Sequence, residues 1–144
     1  ADMISLAMLD VLTEAGMYTP EQRKQIIVTY AADNMMTSKP TLSQAHRVRS
    51  VMQNYYFIKE GAITISPEGV LDVNIDKMVP TARKMLEEII QVQMKGDFAK
   101  GEKYVMDNFV WTPEMEKMAQ NIKTVSKTLN GKVESPLADK LLSE

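Results

Sequence analysis

The feature that most constrains the fold is one pair of β-type segments in a chain whose other apolar residues recur at helical spacing. Residues 62–65 and 70–75 carry alternating β-branched side chains on either side of a Ser-Pro-Glu-Gly turn, which predicts a β-hairpin at about 62–75. Because an isolated hairpin is only marginally stable in water, it must pack on helices. We therefore predict a mainly α fold, with about six helices in one bundle-like domain and a single small β-hairpin.

Capping residues and glycines mark where the helices begin and end. Thr19, Pro20 and Gln22 supply an N-cap, a first-turn proline and a capping-box glutamine, while Gly16 and Gly96 are typical of helix ends. We predict helices over residues 1–15, 20–33, 43–60, 76–95, 98–108 and 112–129. We assign residues 1–129 to one helical domain and residues 130–144 to a C-terminal tail.

The first residues have the pattern of the middle of an amphipathic helix, with no capping residue ahead of them. We interpret the chain as a segment of a larger protein, and the alternative is one tag residue in front of a true domain start. The chain is long enough for one domain with a core. The twelve methionines fall within helical apolar patterns and are interpreted as core residues.

Composition limits the classes of partner. The net charge of −2 gives no electrostatic reason to expect nucleic acid binding, and the sequence has no apolar run of about 18 residues that could span a membrane. The 144 residues include no cysteine, which excludes disulfides. We expect a soluble protein and leave its compartment open, with the cytoplasm favoured over the periplasm.

The only histidine, His46, defines the candidate site. Helical spacing predicts a buried face on its helix made by Ala45, Val48, Val51, Met52, Tyr55 and Ile58. His46 falls off that face, and Arg49, Ser50 and Gln53 follow it at i+3, i+4 and i+7, so one side of the helix becomes a polar stripe. Such a stripe can bind an anion or be a solvated surface, and the residues alone leave both interpretations open.

Complete catalytic machinery is not recognisable in these residues. A zinc site needs three or four ligands, usually histidine or cysteine, and the chain has one histidine. No nucleophile-elbow, phosphate-loop or dinucleotide motif is present. The acidic pairs Glu87-Glu88 and Glu114 with Glu116 are interpreted as surface charges. We therefore predict no metal ligands and no cofactor in this chain, and no catalysis by the chain alone.

Five short motifs, in order, resemble the C-terminal part of the dipeptidyl-peptidase III family of zinc metallopeptidases. The similarity covers about residues 1–125 and suggests a divergent member. The first residues resemble the end of the family's E-E-x-R-A-[DE] helix, and the fifteen residues from His46 to Gly61 match the spacing of its A-H helix. The matching segments are Ala1-Asp2-Met3-Ile4-Ser5-Leu6, Gln44-Ala45-His46, the hairpin, Lys95-Gly96-Asp97-Phe98 and Val110-Trp111-Thr112-Pro113-Glu114.

The resemblance implies that this chain is a fragment of a larger metallopeptidase catalytic region, whose zinc and zinc ligands belong to the missing N-terminal part of a full-length parent. Asp2 would correspond to the acid that orients a zinc-binding histidine, and His46 to the histidine that stabilises charge developing on the scissile carbonyl. Arg49, Ser50 and Gln53 would contact a peptide substrate. Ser50 stands where the family usually has an arginine. The alternative function is a free-standing helical protein-interaction module without catalysis.

Overall fold

The computed structural model describes residues 2–128, with side chains described for residues 3–125. Over this range, seven helices and one antiparallel hairpin confirm the predicted mainly α fold. The elements are α1 (Asp2–Ala7), α2 (Leu9–Glu14), α3 (Pro20–Asp33), α4 (Ala45–Lys59), β1 (Ile63–Ile65), β2 (Leu71–Val73), α5 (Ile75–Lys95), α6 (Phe98–Asn108) and α7 (Pro113–Thr128). The predicted tail at 130–144 lies outside the described residues.

The opening helix is divided in two, and this accounts for seven helices where about six were predicted. Met8 separates α1 from α2 with a ψ of −5°, well away from the value of about −42° that an α-helix prefers. The chain still turns in the helical sense there, because the Met8 amide donates to the Ile4 carbonyl at 3.0 Å. The division lets two short helices lie on different neighbours, α1 on α5 and α2 on α3.

A continuous apolar core joins α1, α3, α4, α5 and the hairpin. Leu6, Ile27, Phe57, Ile63 and Met78 are each almost completely buried within it. α1 packs along the first half of α5. The contact is reinforced where the Nε of Arg83 donates to the carbonyl oxygen at the end of α1, on Ala7, at 2.8 Å.

The methionines divide between core and surface, so the core interpretation is correct for only some of them. Met3, Met78, Met85, Met115 and Met118 are buried. Others are exposed, with Met94 82% and Met17 64% exposed.

α4 is buried on more sides than a single apolar stripe would give. Val48 and Val51 are buried as predicted, but Ala45 is exposed. Tyr56 and Phe57, which the periodicity did not place on the buried face, are both buried. The reason is that α4 contacts α5, α6 and β1 together, so its environment changes around and along the helix.

α5 begins one residue earlier than predicted and is buried mainly in its first half. Its N-cap is Asn74, whose side chain accepts from the Lys77 amide at 3.2 Å. Burial is concentrated in the first half, while Ile90 and Gln93 in the second half are exposed. The second half of α5 extends past α1, and α6 packs beside it.

The hairpin pairs Ile63 with Val73 and Ile65 with Leu71, which confirms the predicted strands in shorter form. Its turn is pinned to α7, because the Nδ2 of Asn121 donates to the carbonyl oxygen of Glu68 at 2.7 Å. The hairpin therefore packs on helices, as its small size requires. None of the helices within residues 2–128 is long and apolar enough to cross a membrane.

Candidate functional site

His46 is an exposed side chain on the first turn of α4. The preceding loop is tied to this turn by Arg47, whose Nη2 donates to the Ser38 hydroxyl at 3.1 Å and to the Ser38 carbonyl oxygen at 3.3 Å. The N-cap residue, Gln44, makes no side-chain capping bond to the helix. Its Oε1 instead accepts from the amide of Thr41 at 3.0 Å. The imidazole is thus held on an ordered turn and faces solvent.

Ser50 and Arg49 lie next to the His46 backbone. The Ser50 hydroxyl donates to the His46 carbonyl oxygen at 3.4 Å, and the Nη2 of Arg49 donates to the Ser50 Oγ at 3.4 Å. Ser50 is buried and Arg49 is half-buried. Serine bonding back to the i−4 carbonyl is a common local arrangement in helices. Ser50 therefore supports the turn that carries His46.

Gln53, the last residue of the predicted stripe, is buried against α3. Its Oε1 accepts hydrogen bonds from the Tyr30 hydroxyl at 2.9 Å and from the Nδ2 of Asn34 at 3.2 Å. The neighbouring Asn54 donates through Nδ2 to the Asn34 carbonyl oxygen at 2.9 Å. Burial raises the pKa of Tyr30, which keeps its hydroxyl a donor. The stripe is therefore exposed at His46 and enclosed at Gln53.

These partners on α3 were missed by the sequence reasoning. The available signal was Asn54, a second amide beside Gln53 in a helix that is otherwise apolar on that side. Buried polar side chains are nearly always hydrogen-bonded, so two adjacent amides indicate a polar partner. The sequence could not indicate that the partner is the C-terminal end of α3.

A groove between α4, α5 and α6 brings two of the predicted substrate-binding residues together. It encloses about 400 Å³, and Arg49 and Gln53 line it beside the apolar side chains of Met52, Met85 and Val105. Ala45, the residue before His46, also lines it. The groove thus opens beside the turn of His46. Substrate binding by Arg49, Ser50 and Gln53 stays a prediction.

The sequence reasoning also missed a second polar cluster, which is centred on Glu88. The interpretation of Glu88 as a surface charge is wrong. Glu88 is partly buried and accepts from the Tyr56 hydroxyl at 2.8 Å and from the Tyr104 hydroxyl at 3.1 Å. Burial, followed by the hydrogen bond from Tyr56 to the Glu88 carboxylate, raises the pKa of Tyr56, and burial with the same negative charge raises the pKa of Tyr104. Both phenols remain donors at neutral pH. The cluster therefore joins α4, α5 and α6 through two hydrogen bonds to one carboxylate.

Asp2 is the first residue of α1, and its side chain lies outside the described range. Among the described side chains, no group of three or more histidine, aspartate or glutamate residues is placed to hold a metal ion. A role for Asp2 near zinc stays a prediction.

No protein-family model matches the chain. It is similar to Nudix hydrolase 3 of Arabidopsis thaliana, with 21% identity over 143 residues that make up 99% of this chain and 18% of that protein. Its fold is similar to that of DPP III from Caldithrix abyssi, with a TM-score of 0.73 and 25% sequence identity, over 83% of this chain and 23% of that one.

The chain therefore spans less than a quarter of the length of either relative. The likeness to DPP III extends over most of the described helices and relates this helical segment to a peptidase of that kind. Nudix hydrolase 3 is named for a different hydrolase class, and its sequence identity to this chain is only 21%. Of the two, the structural likeness bears more directly on the site, because it concerns the arrangement of the helices.

Proposed function

We propose that this chain is the C-terminal helical segment of a zinc-dependent exopeptidase resembling DPP III, in which it forms part of the wall of the substrate cleft. The observation that carries the proposal is the structural likeness to DPP III over 83% of the chain. The order of motifs from Asp2 through His46 to Phe98 supports the same assignment. The zinc ligands belong to the rest of the longer protein, so the segment is inactive alone.

His46 acts in this proposal on the carbonyl group of the peptide bond that is cleaved. Its exposed imidazole can donate a hydrogen bond to the oxygen on which negative charge develops. Its position on the first turn of a 15-residue helix adds the partial positive charge of unpaired backbone amides. The Ser50 and Arg47 contacts hold that turn in place, and such preorganisation is what makes a donor effective in a transition state.

In the proposal, Arg49 contacts the substrate. The resemblance predicts an arginine at position 50, but the residue there is Ser50. Neighbouring residues on a helix differ in direction by about 100°, so Arg49 reaches the substrate from one side. Arg49 also lines the groove beside α5 and α6, so we place its contact with the substrate in that groove. We therefore propose a peptide specificity that differs from that of enzymes with the arginine at position 50.

The first test is the reading frame around this chain. The proposal expects an upstream H-E-x-x-x-H motif followed by E-E-x-R in the same protein. A start codon immediately before residue 1 would contradict it and favour the interaction module. The exposed apolar side chains of Met94 and Phe98, 82% and 84% exposed, are the observation that favours this alternative.

The second test is His46→Ala in the longer protein, assayed on dipeptidyl-arylamide substrates. We expect kcat/KM to fall by roughly 10²–10³-fold, the loss typical of one donor to a developing oxyanion. The melting temperature should change little, because an exposed side chain contributes little packing. Lys24→Ala, at an exposed position on α3, is the matched control and should leave both quantities unchanged. Unchanged kcat/KM in His46→Ala would overturn the role of His46.

A further inference from the structure

A polar concavity lies between the second half of α5 and α6. It encloses about 320 Å³ and shares no lining residue with the groove that Arg49 lines. The volume is at the lower end of the range for small-molecule sites. One face of α5, at i, i+3, i+4 and i+7, and one face of α6, at i and i+4, form its walls. The residues are Glu88, Gln91, Val92 and Lys95 on α5, and Lys100 and Tyr104 on α6.

Glu88 supplies the negative charge of the concavity. The Tyr56 hydroxyl donates to its Oε1 at 2.8 Å, and the Tyr104 hydroxyl donates to its Oε2 at 3.1 Å. A carboxylate offers about four acceptor positions, so each oxygen retains one that can accept from a ligand. The two phenols fix the position of the carboxylate without balancing its charge.

Among the described side chains, none forms an ion pair with Glu88. Lys84, one turn before it on α5, is paired with Glu60 at 2.7 Å. Lys59 donates instead to the Oδ1 of Asn108 at 3.3 Å. A partly buried carboxylate without a counter-charge favours a cationic ligand group, because the cation restores interaction that burial removes.

Two lysines supply positive charge to the same concavity. Lys95 is exposed, lies about 10 Å beyond Glu88 along the helix axis, and has no ion pair among the described side chains. The Nζ of Lys100 lies 3.5 Å from the Asp97 carboxylate, and its side chain is 63% exposed. Such an exposed pair is weak, so Lys100 can bind a second carboxylate. Glu88 opposes a purely anionic ligand and the lysines oppose a purely cationic one, so a complementary ligand carries both charges.

We propose that this concavity binds a free amino acid, whose ammonium group contacts Glu88 and whose carboxylate contacts Lys95 and Lys100. A charged hydrogen bond of about 2.8 Å at each end, together with the flexible stem of lysine, lets so short a ligand bridge the two charges. Val92 lines the concavity as well and offers an apolar contact to an aliphatic side chain. The site does not depend on the proposed peptidase role, because none of its residues takes part in it.

The experiment uses the 144-residue chain with ¹³C-methyl-labelled valines and three probes of similar shape. L-Leucine carries both charges, L-leucinamide carries only the ammonium group, and N-acetyl-L-leucine carries only the carboxylate. The titrations are made at about pH 6, where the amino group of L-leucinamide is protonated. Val92 reports on the concavity, and Val28, 43% exposed on α3, is the reference.

L-Leucine should shift the methyl signals of Val92 in a saturable way, with a Kd on the order of 1 mM, and leave Val28 unchanged. N-Acetyl-L-leucine should bind at least about tenfold more weakly, because it lacks the charged hydrogen bond to Glu88. L-Leucinamide should bind about three- to fivefold more weakly than L-leucine, because ion pairs to exposed lysines contribute less.

Two variants separate the charges of the site. Lys95→Gln with Lys100→Gln should lower the affinity for L-leucine to that for L-leucinamide. Lys24→Gln with Lys103→Gln changes the net charge equally at exposed positions outside the concavity, and should leave both affinities unchanged. Glu88→Gln, shown by its thermal melt to be folded, should bind L-leucine no more tightly than N-acetyl-L-leucine. If Glu88→Gln does not fold, the two double variants decide.

Three results would overturn the proposal. The first is no saturable shift of Val92 at about 20 mM L-leucine, well above the expected Kd. The second is equal binding of L-leucine and N-acetyl-L-leucine. The third is the same affinity for L-leucine in the Lys95 and Lys100 double variant as in its charge-matched control. A shift of Val28 equal to that of Val92 would also contradict binding in this concavity.

Discussion

Gly69, in the hairpin turn, shows how closely two elements approach at a single residue. Its φ is 78°, and a Cβ atom there would lie 2.7 Å from the Met118 amide nitrogen and 2.8 Å from the Nδ2 of Asn121. Both the backbone conformation and the contact with α7 therefore require glycine. No side-chain adjustment can relieve a clash with the backbone of a helix.

We expect Gly69→Ala to lower the free energy of unfolding by about 2 kcal/mol or more, because it adds a steric clash to backbone strain. Gly16→Ala is the matched control. It has the same φ of 78° but no atom within 4 Å of the added carbon, so it should cost only about 1 kcal/mol. Urea denaturation of the two variants measures the difference, and equal losses would show that α7 yields to the added methyl group.

Gln53 offers a second prediction for a single residue. Gln53→Leu removes the acceptor of the Tyr30 hydroxyl and of Asn34, and leaving buried donors unpaired costs about 1–3 kcal/mol each. We expect a loss of roughly 2–3 kcal/mol in the free energy of unfolding. Because His46 is the only histidine, its imidazole proton signals in an NMR spectrum also report whether α4 has moved.

The matched control for Gln53→Leu is Gln25→Leu on the exposed side of α3, which should stay within about 0.5 kcal/mol of the unchanged protein. Similar stability of the two variants would mean that the buried network contributes nothing measurable. A destabilised Gln53→Leu with unchanged His46 signals would confine the effect to the contact between α3 and α4.

At the scale of elements, the Glu88 cluster should make stability sensitive to alkaline pH. The folded pKa values of Tyr56 and Tyr104 are raised, so these phenols keep their protons at pH values where unfolded tyrosine loses them. Their contribution is fully present below the unfolded pKa of about 10 and is lost as pH rises above it. Thermal melts between pH 8 and pH 11.5 should show a decline that begins near pH 10.

The decline should be smaller in Tyr56→Phe, which removes one of the two phenols. At pH 8 this variant should already be less stable by about 1–2 kcal/mol, because Glu88 loses a donor. Tyr55→Phe is the control on the same helix, at a half-buried phenol, and should retain the full alkaline decline. If the melting temperature falls equally steeply with pH in the unchanged protein, in Tyr56→Phe and in Tyr55→Phe, then α4, α5 and α6 are not coupled through the hydroxyls that contact Glu88.

Local signals predicted the elements well, and their packing was harder to predict. The cap at Thr19, with its Gln22 partner, is formed as expected, because a capping box depends only on neighbouring residues. The buried face of α4 was predicted only in part, because α3, α5, α6 and β1 all contact this helix and the 3.6-residue period describes one buried side. The sequence placed both His46 and Gln53 off the buried face, which is correct for His46 and wrong for Gln53, because α3 packs against Gln53.

At the scale of the whole molecule, we expect the 144-residue chain to fold by itself and to lack peptidase activity. Its core joins both halves of the described chain, which is sufficient for an independent domain of this size. Circular dichroism should show a helical spectrum and a cooperative thermal unfolding transition. Elemental analysis after dialysis should find no stoichiometric zinc, and dipeptidyl-arylamide hydrolysis should stay at background with or without added zinc. Submicromolar zinc binding, or turnover, would contradict this prediction.

The packing of α1 on α5 also sets an order of assembly during synthesis. The bond from Arg83 to Ala7 joins residues 76 positions apart, so α1 cannot dock on α5 until α5 has left the ribosome. At about 5–20 residues per second that delay is roughly 4–15 s. During this time the side chains of Met3 and Leu6, buried in the finished fold, lack the cover that α5 later supplies. Within this segment, α1 is therefore made well before the helix that encloses it.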